Sequence, residues 1–225
     1  ISRLNLNSIF NRSQNLMSKK TINPRLARNY HEATSEKSRE VYRQWASTYD
    51  RELTEDFGYR APDAAVECLL DYFPSRKIEI LDMGCGTGLV GELLYTAGYK
   101  QIDGLDLSPE MILKAAEKGV YRQLGEADLS TSISLDPKYD AILCVGVFSH
   151  GSRQPFDLPK LFSGLKPDGV LIATVNGKGW HDIGWSALLE KSSQENGFQV
   201  ESLRDIPYLT GEGIPGKLLI AKPTP

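Results

Sequence analysis

Short, mostly apolar runs recur along the chain, and each pair of runs is separated by enough residues to form a helix. Runs of this length suit strands that are buried on both faces of a parallel sheet. The four clearest runs cover residues 78–81, 102–107, 139–147 and 170–176. The segments between them carry apolar residues at helical spacing, which predicts alternating strands and helices and therefore a doubly wound α/β sheet.

The remaining predicted elements are shorter or more polar. They are a helix over residues 62–72, a strand at 121–124, a helix over 157–165, a Lys-Pro-Asp-Gly turn at 166–169, a loop over the glycine- and tryptophan-rich residues 177–185, a helix over 186–195, and strands at 198–203 and 217–221. Together with the four apolar runs, these strands predict a mostly parallel sheet of seven strands.

The first part of the chain differs in composition from the rest. Residues 1–31 hold six basic residues and no acidic residue, which is typical of a disordered leader or of a mitochondrial transit peptide. We therefore divide the chain into a leader at 1–33 and a single domain at 34–225, with N-terminal helices at 34–73 and a core at 74–225. The three cysteines form no Cys-x-x-Cys pair, which fits a reducing compartment. We expect a cytoplasmic protein, or a mitochondrial one if the leader is a transit peptide.

Charge and hydropathy limit the kinds of partner. Beyond residue 31 the chain holds 20 basic residues, the total of 26 less the six of the leader, against 29 acidic residues. An acidic body disfavours nucleic acid as a partner, and no apolar run approaches the roughly 18 residues of a membrane span. We expect a small-molecule partner, no nucleic acid, no membrane contact, no metal, and a monomer or homodimer.

A glycine-rich turn follows the first apolar run. After Asp82, glycine occupies every second position at Gly84, Gly86 and Gly88, with Cys85 between the first two. Glycine permits a sharp turn and a close approach of the backbone to a ligand. A unit of strand, glycine turn and helix is typical of sites for nucleotide-like ligands.

This turn has two interpretations. From Gly86 to Gly91 it matches G-x-G-x-x-G, which predicts a dinucleotide site with Asp106 as the acid about 20 residues further on. From Asp82 it reads D-x-G-x-G-x-G, which resembles motif I of the class I S-adenosylmethionine-dependent methyltransferases. Their cofactor carries a sulfonium and an amino group but no phosphate, so an acid beside the turn is favourable. The resemblance implies a Rossmann-like fold with an antiparallel last strand, and S-adenosylmethionine as the cofactor.

The resemblance continues after the second and third strands. Residues 106–111, Asp-Leu-Ser-Pro-Glu-Met, match the family closely. Asp106 ends its strand, where ligands bind in open α/β sheets and where a carboxylate can accept both ribose hydroxyls. The family also places an acid at Asp128 to accept from the adenine amino group. The full set of core residues predicted to bind the cofactor is Asp82, Gly84, Cys85, Gly86, Gly88, Asp106, Leu107, Asp128, Leu129 and Val145.

An aromatic stripe precedes the core. Val41, Trp45 and Tyr49 fall at helical spacing and predict a helix over about residues 34–55. This helix either packs as core or covers the cofactor as a lid. Residues 41–50 and 58–62 resemble the N-terminal element of the subgroup related to the Williams–Beuren-region methyltransferase-like protein. That resemblance places Tyr49 and Arg60 near the methionine end of the cofactor, although a surface ion pair is the alternative for Arg60.

The segment after the fourth strand carries the candidate catalytic residue. His150 leaves the end of that strand, where the transferred methyl group is expected, and it is a candidate base or positioning group; lining the pocket is its alternative role. His181 is a weaker candidate. Trp180 and Trp185 either wall the acceptor pocket or pack the last helix. No Asn-Pro-Pro-Tyr follows the strand, which disfavours nucleic-acid bases as acceptors.

The function that these patterns favour is methyl transfer from S-adenosylmethionine to a small-molecule acceptor by in-line displacement. In such a reaction the alignment of the reactants supplies much of the catalysis. Two alternatives remain from the sequence. One is an NAD(P)-dependent oxidoreductase, which the shorter glycine pattern suggests. The other is a non-catalytic methyltransferase-like binding protein, which the intact donor motifs disfavour without excluding it.

Overall fold

The computed structural model describes most of the chain beyond the leader. The described residues are 43, 45, 48–129, 131, 133, 135–148 and 157–224. The predicted leader, most of the first predicted helix including Val41, and the candidate catalytic residue His150 lie outside them.

A seven-stranded sheet forms the centre of the domain, in the order β3-β2-β1-β4-β5-β7-β6. The strands are β1 (Ile80–Met83), β2 (Ile102–Asp106), β3 (Gln123–Glu126), β4 (Tyr139–Phe148), β5 (Leu165–Asn176), β6 (Phe198–Leu209) and β7 (Ile214–Pro223). The first five strands pair in parallel, whereas β7 runs antiparallel to both β5 and β6. This order confirms the prediction of a mostly parallel, doubly wound sheet with an antiparallel last strand.

Helices connect the strands and pack on the sheet. In the described part of the chain they are α1 (Tyr49–Arg51) with a π-helical turn at Glu52–Asp56, α2 (Ala61–Tyr72), α3 (Leu89–Thr96), α4 (Pro109–Glu117), α5 (Pro159–Phe162), α6 (Gly177–Ile183) and α7 (Trp185–Asn196). The start of α4 carries two local signals of a helix N-terminus. Ser108 accepts a hydrogen bond from the Met111 amide at 3.3 Å, and Pro109 occupies the first helical position.

Apolar clusters bury both faces of the sheet. One cluster packs Leu69 and Leu94 with residues of β1 and β4, and the other packs Phe148, Trp185 and Leu189. Burying such a side chain contributes about 1.5–3 kcal/mol. Because both faces are covered, the interior of β1 is fully buried, and polar groups gather at the two ends of the parallel strands.

At the amino ends of these strands an ion-pair network surrounds the buried Asp103. The Arg122 guanidinium donates to both carboxylate oxygens at 2.9 Å, the Tyr139 hydroxyl donates at 3.0 Å and the Lys138 ammonium at 3.1 Å. Burial alone would raise the pKa of Asp103, but these donors hold it below its ordinary value. The charges at this end therefore stabilise the fold, and the chemistry of interest is at the opposite, carboxyl edge.

The prediction of a loop at residues 177–185 is wrong, because helix α6 occupies most of this segment. The Asn176 side chain caps the helix by accepting from the Lys178 amide at 2.9 Å. Gly184 then ends it in the left-handed region at φ 72°. The two caps outweigh the low helix propensity of the glycines inside the segment.

Several further boundaries differ from the predictions, including those of β1, β6 and β7. Strand β3 begins at Gln123 rather than at residue 121, because the Tyr121 side chain packs under the glycine turn instead of joining the sheet. The helix predicted over 157–165 is shortened to α5, and β5 begins at Leu165, so it includes the predicted 166–169 turn.

Two kinds of feature are absent from the described residues. No helix there combines the length and the apolar character needed to cross a bilayer. No group of three or more His, Cys, Asp and Glu side chains there is arranged to hold a metal ion. The three cysteines are buried, and no disulfide joins them.

Candidate active site

The backbone of the glycine turn is tied to the neighbouring strand β2. The amides of Gly84 and Cys85 both donate to the Leu105 carbonyl, at 2.7 and 3.0 Å. Gly84, Gly86 and Gly88 adopt φ values of 75°, 53° and 90°, which strongly favour glycine. A Cβ on Gly86 would meet no described atom within 4 Å, so the middle glycine of the turn faces open space.

Asp106 holds the turn from the end of β2. Its carboxylate accepts the Gly86 amide at 2.8 Å and the Ser108 amide at 2.9 Å. Burial raises the pKa of Asp106, while the amides of Ser108 and Gly86 oppose that rise by favouring the charged form. Each carboxylate oxygen keeps a second lone pair, so Asp106 can position the turn and still accept from a ligand at this edge.

Asp82 is in a different environment, because it is completely buried under the turn. The Tyr121 hydroxyl donates to its Oδ2 at 2.7 Å, whereas no donor in the described part of the chain meets hydrogen-bond geometry with its Oδ1. Burial therefore raises the pKa of Asp82 to about 7, against the lowering effect of the Tyr121 hydrogen bond. In this structure Asp82 influences the site through its charge rather than through an exposed carboxylate.

Cys85 is also buried within the turn. Burial and the negative charges of Asp82 and Asp106 raise the pKa of its thiol. Because the thiolate is the reactive form of cysteine, Cys85 is held as an unreactive thiol that packs beneath the turn.

The segment before the core is attached to the glycine turn. The Thr87 hydroxyl donates to the Asp50 carboxylate, and the Lys118 ammonium lies 2.9 Å from both Asp50 and Glu92. We call these four residues the Asp50 latch. The sequence offers core packing and a lid as alternatives for the segment, and the structure shows features of both.

Trp45 and Tyr49 illustrate the two features. Trp45 is buried, and its indole N–H donates to Glu52 at 3.0 Å. The half-buried Tyr49 packs edge-on against the Trp45 ring, with 4.7 Å between the ring centroids. The same short segment therefore contributes to the core through Trp45 and reaches the turn through Asp50.

Arg60 does not point into the site in this structure. Its side chain is 62% exposed and lies 3.8 Å from Asp63 in the same helical turn. Its backbone amide donates to the Tyr208 carbonyl at 2.8 Å. This arrangement is the surface ion pair that we gave as the alternative, and a cofactor contact of Arg60 stays a prediction.

The other predicted cofactor residues lie around the same edge. Leu107 follows Asp106 at the end of β2, and Val145 is buried near the end of β4. Asp128 is half-buried in a turn, where its carbonyl accepts from the Thr131 amide at 3.1 Å. Leu129 is buried, and its carbonyl accepts from Lys160 at 2.6 Å. The fold thus brings these residues to one edge, and their contacts with the cofactor stay predictions.

The two tryptophans and His181 lie in different surroundings. Trp185 is fully buried and packs edge-on against Phe148 at 5.3 Å, and Trp180 stacks on Trp185 at 6.0 Å. Both tryptophans therefore pack in the core, and a role in walling the acceptor pocket stays a prediction. His181 is exposed on α6, and His150 lies outside the described residues.

Sequence reasoning missed a group of residues near the carboxyl edge. Tyr121 lies under the turn, and the hydroxyls of Tyr59 and Tyr208 approach Gly146 on β4. The available signals were glycines inside apolar strands, at Gly104 and Gly146, because such glycines indicate close approach of another group. They indicate that a neighbour exists but do not identify it.

The site fits S-adenosylmethionine better than a dinucleotide. A pyrophosphate needs free backbone amides at the turn, but those of Gly84 and Cys85 donate to Leu105 and that of Gly86 donates to Asp106. The open space at Gly86 and the carboxylate of Asp106 suit a cofactor with an amino group and ribose hydroxyls. We therefore assign the edge as a cofactor site of the methyltransferase kind.

Comparison with known proteins agrees with this assignment. Methyltransferase-like protein 27 of Homo sapiens is 36% identical over 137 residues, which is 59% of this chain and 55% of that protein. The ubiquinone biosynthesis O-methyltransferase of Rickettsia typhi is 29% identical over 110 residues, 48% of this chain and 45% of that protein. The chain thus spans about half the length of the curated relatives it matches. The first of them supports the methyltransferase-like subgroup that the sequence resembles.

Solved structures confirm the fold. Magnesium protoporphyrin IX methyltransferase from Synechocystis PCC 6803 superimposes with a TM-score of 0.65 at 20% identity, over 84% of this chain and 99% of that one. The sequence profile of a family described as "Methyltransferase domain" matches residues 31–214. With its glycine turn, Asp106 and seven-stranded sheet, the chain belongs to this family and contains an S-adenosylmethionine-dependent methyltransferase domain.

Proposed function

We propose that the domain methylates a small molecule at the carboxyl end of β4. The observation that carries this proposal is the placement of two tyrosines against Gly146. This glycine has φ of 80°, and its amide donates to the buried Thr174 hydroxyl at 3.1 Å. A Cβ there would overlap the Tyr59 hydroxyl and would lie 3.9 Å from the Tyr208 hydroxyl. Both phenol oxygens therefore approach one point at the strand end.

This point is next to the cofactor turn. A Cβ on Gly84 would overlap the side chain of Val147, which follows Gly146 on β4. The rings of Tyr59 and Tyr208 pack edge-on with 5.3 Å between centroids. Apolar ring surface with a few polar groups is the usual lining of a small-molecule site. The pair suits an acceptor that is largely apolar and carries a polar group to be aligned.

The cofactor supplies a methyl group on a positively charged sulfur, which is already activated for in-line displacement. The chain's main task is to align the acceptor with that methyl group, and orientation of this kind supplies about 7–11 kcal/mol of the barrier. In this proposal Asp106 holds the ribose and Asp128 the adenine. His150 acts as the proton acceptor or as a positioning group for the acceptor.

Two further lines support a small-molecule acceptor. One relative is an O-methyltransferase of ubiquinone biosynthesis, and one structural neighbour is a methyltransferase of magnesium protoporphyrin IX. The acidic balance beyond residue 31 disfavours a nucleic-acid acceptor. A cytoplasmic location and a monomeric or homodimeric state are part of the proposal.

A methyl-transfer screen tests the acceptor class. Protein is incubated with S-adenosylmethionine and either a metabolite extract, bulk RNA and DNA, or bulk protein, and release of S-adenosylhomocysteine is measured. We expect release with the metabolite extract. Release only with nucleic acid or protein would overturn the small-molecule assignment.

The tyrosine pair is tested with the acceptor found in that screen. Tyr59→Phe and Tyr208→Phe should each raise the KM for the acceptor about two- to tenfold, since a lost hydrogen bond costs about 0.5–1.5 kcal/mol, while donor affinity stays unchanged. Tyr72→Phe is the matched control, because that hydroxyl donates to the exposed Glu201 at 2.8 Å. An unchanged acceptor KM in both Tyr59→Phe and Tyr208→Phe would contradict the proposed site.

A further inference from the structure

We infer that Tyr121 is a positioning residue of the cofactor site, which holds the Asp82 carboxylate under the glycine turn and keeps it available as a negative charge. This inference rests on the cofactor assignment of the carboxyl edge and goes beyond it, since no glycine pattern or family motif includes Tyr121.

The Tyr121 ring is built into the turn by glycines from three elements. A Cβ on Gly91 in α3 would overlap the ring and its hydroxyl. A Cβ on Gly104 in β2 would lie 2.9 Å from the ring, and one on Gly88 would lie 3.1 Å from it. A side chain at Gly91 would displace Tyr121, and one at Gly88 or Gly104 would crowd its ring, so the absence of three side chains makes room for the tyrosine.

The packing of Tyr121 against these glycines gives a structural reason for the shorter glycine pattern. Gly91 would be the last glycine of a dinucleotide fingerprint, where it serves close packing of helix against strand. In this chain the space at Gly91 is filled by Tyr121. Two of the three glycines in the G-x-G-x-x-G spacing, Gly88 and Gly91, are therefore accounted for by a buried tyrosine without any pyrophosphate.

The hydroxyl of Tyr121 is aimed at Asp82. It donates to Oδ2 at 2.7 Å, and within the described residues Oδ1 has no hydrogen-bond partner. A buried carboxylate with so few donors resists ionisation. The Tyr121 hydrogen bond favours the charged form, as does the nearby Gly91 amide, whereas the charge of Asp106 opposes it.

The thiol of Cys85 also faces Asp82, and burial together with the charges of Asp82 and Asp106 raises its pKa and keeps it protonated. Tyr121 is likewise kept protonated, because burial and the charge of Asp82 raise its pKa. Over the neutral range the charge under the turn is therefore set by Asp82 and, through its hydrogen bond, by Tyr121. A cofactor with an ammonium and a sulfonium is favoured when that charge is present.

Removing only the hydroxyl tests this role. In Tyr121→Phe the ring still fills the space between the glycines, but Asp82 loses its side-chain donor. The pKa of Asp82 therefore rises further, and a larger fraction of Asp82 is neutral at any given pH. We expect donor affinity at pH 7 to fall about tenfold or more, as for a lost hydrogen bond to a charged group. The midpoint of affinity against pH, measured by calorimetry from pH 5.5 to 8.5, should also move upward.

The affinity for S-adenosylmethionine should fall more than that for S-adenosylhomocysteine, because only the former carries the sulfonium charge. Tyr99→Phe is the matched control. It removes another buried tyrosine hydroxyl, which donates to the Phe73 carbonyl at 3.0 Å, and it should leave the pH profile unchanged.

Asp82→Asn provides an independent variant, since asparagine can still accept from Tyr121 but carries no charge. Its donor affinity should be low and nearly independent of pH. A wild-type pH profile in either Tyr121→Phe or Asp82→Asn would overturn the inference. If the wild-type protein bound neither cofactor form, the cofactor assignment itself would fail, and this inference with it.

Discussion

Two carboxylates at the carboxyl edge, Asp82 and Asp106, lie in opposite environments although they are close in the fold. Asp106 accepts two backbone amides, one on each oxygen. Asp82 has one side-chain donor, Tyr121, and is fully buried. Because a charge without enough donors is costly to bury, the two residues contribute differently. We propose that Asp106 offers its carboxylate to the cofactor, whereas Asp82 contributes negative charge beneath the glycine turn.

Asp82 should also give the protein a pH-dependent stability. Its pKa is raised from 3.8 to about 7 in the folded state, so between these values the folded state binds more protons than the unfolded state. The contribution of Asp82 to the free energy of unfolding is therefore highest below pH 4 and is lost as pH rises through 7. Between these values that contribution falls by up to ~1.4 kcal/mol per pH unit.

Urea unfolding at pH 5, 6, 7 and 8 checks this expectation. Relative to the wild type, Asp82→Asn should become progressively more stable as pH rises over this range, because it carries no charge to bury. Asp63→Asn, at an exposed position in α2, is the control and should run parallel to the wild type. Parallel curves for Asp82→Asn as well would show that Asp82 is not buried as described.

Among the elements, the short segment around α1 has the most direct connection to the cofactor turn. Its Asp50 latch joins Thr87, in the turn, to Lys118 after α4. Lys118 is largely buried, and burial lowers its pKa, but Glu92 and Asp50 together raise it above its ordinary value. The Lys118 ammonium is therefore held charged, and the Asp50 latch orders the glycine turn on which we propose that the cofactor rests.

Breaking the latch should weaken donor binding. Asp50→Ala and Thr87→Val should each lower affinity several-fold, because the turn loses an ordering contact. The double variant should lose less than the sum of the two, with a coupling of about 0.5–3 kcal/mol. Calorimetry on the wild type, the two single variants and the double variant completes this double-mutant cycle. Fully additive losses of affinity would mean that Asp50 and Thr87 do not act together.

The elements also show what a sequence can predict. The start of α4 was predictable because Ser108 and Pro109 are local signals whose effect does not depend on distant residues. Helix α6 was missed because the glycines within 177–183 suggested a loop, while the decisive cap of Asn176 is a single side chain. Local signals predict an element reliably where they agree. In α6 they conflict, because the glycines favour a loop and the Asn176 cap favours a helix.

For the whole molecule, the parallel sheet explains which neighbours at the candidate site could be predicted from the sequence and which could not. Gly86 and Asp106 were predicted together because carboxyl ends of adjacent parallel strands meet at one edge. Asp50 and Tyr59 approach the same edge from the N-terminal segments at 41–50 and 58–62, and Tyr121 approaches it from outside any motif. Their positions depend on tertiary packing, for which the sequence holds no local signal beyond the glycines that make room.

The central claim is that this edge binds S-adenosylmethionine, and calorimetric titration tests it most directly. Wild-type protein and Asp106→Ala are each titrated with S-adenosylmethionine and with NADH, after circular dichroism has shown that both are folded. We expect micromolar or tighter binding of S-adenosylmethionine to the wild type, a loss of about tenfold or more in Asp106→Ala, and no binding of NADH. Binding of NADH in preference to S-adenosylmethionine, or equal affinity of both proteins for S-adenosylmethionine, would contradict the account.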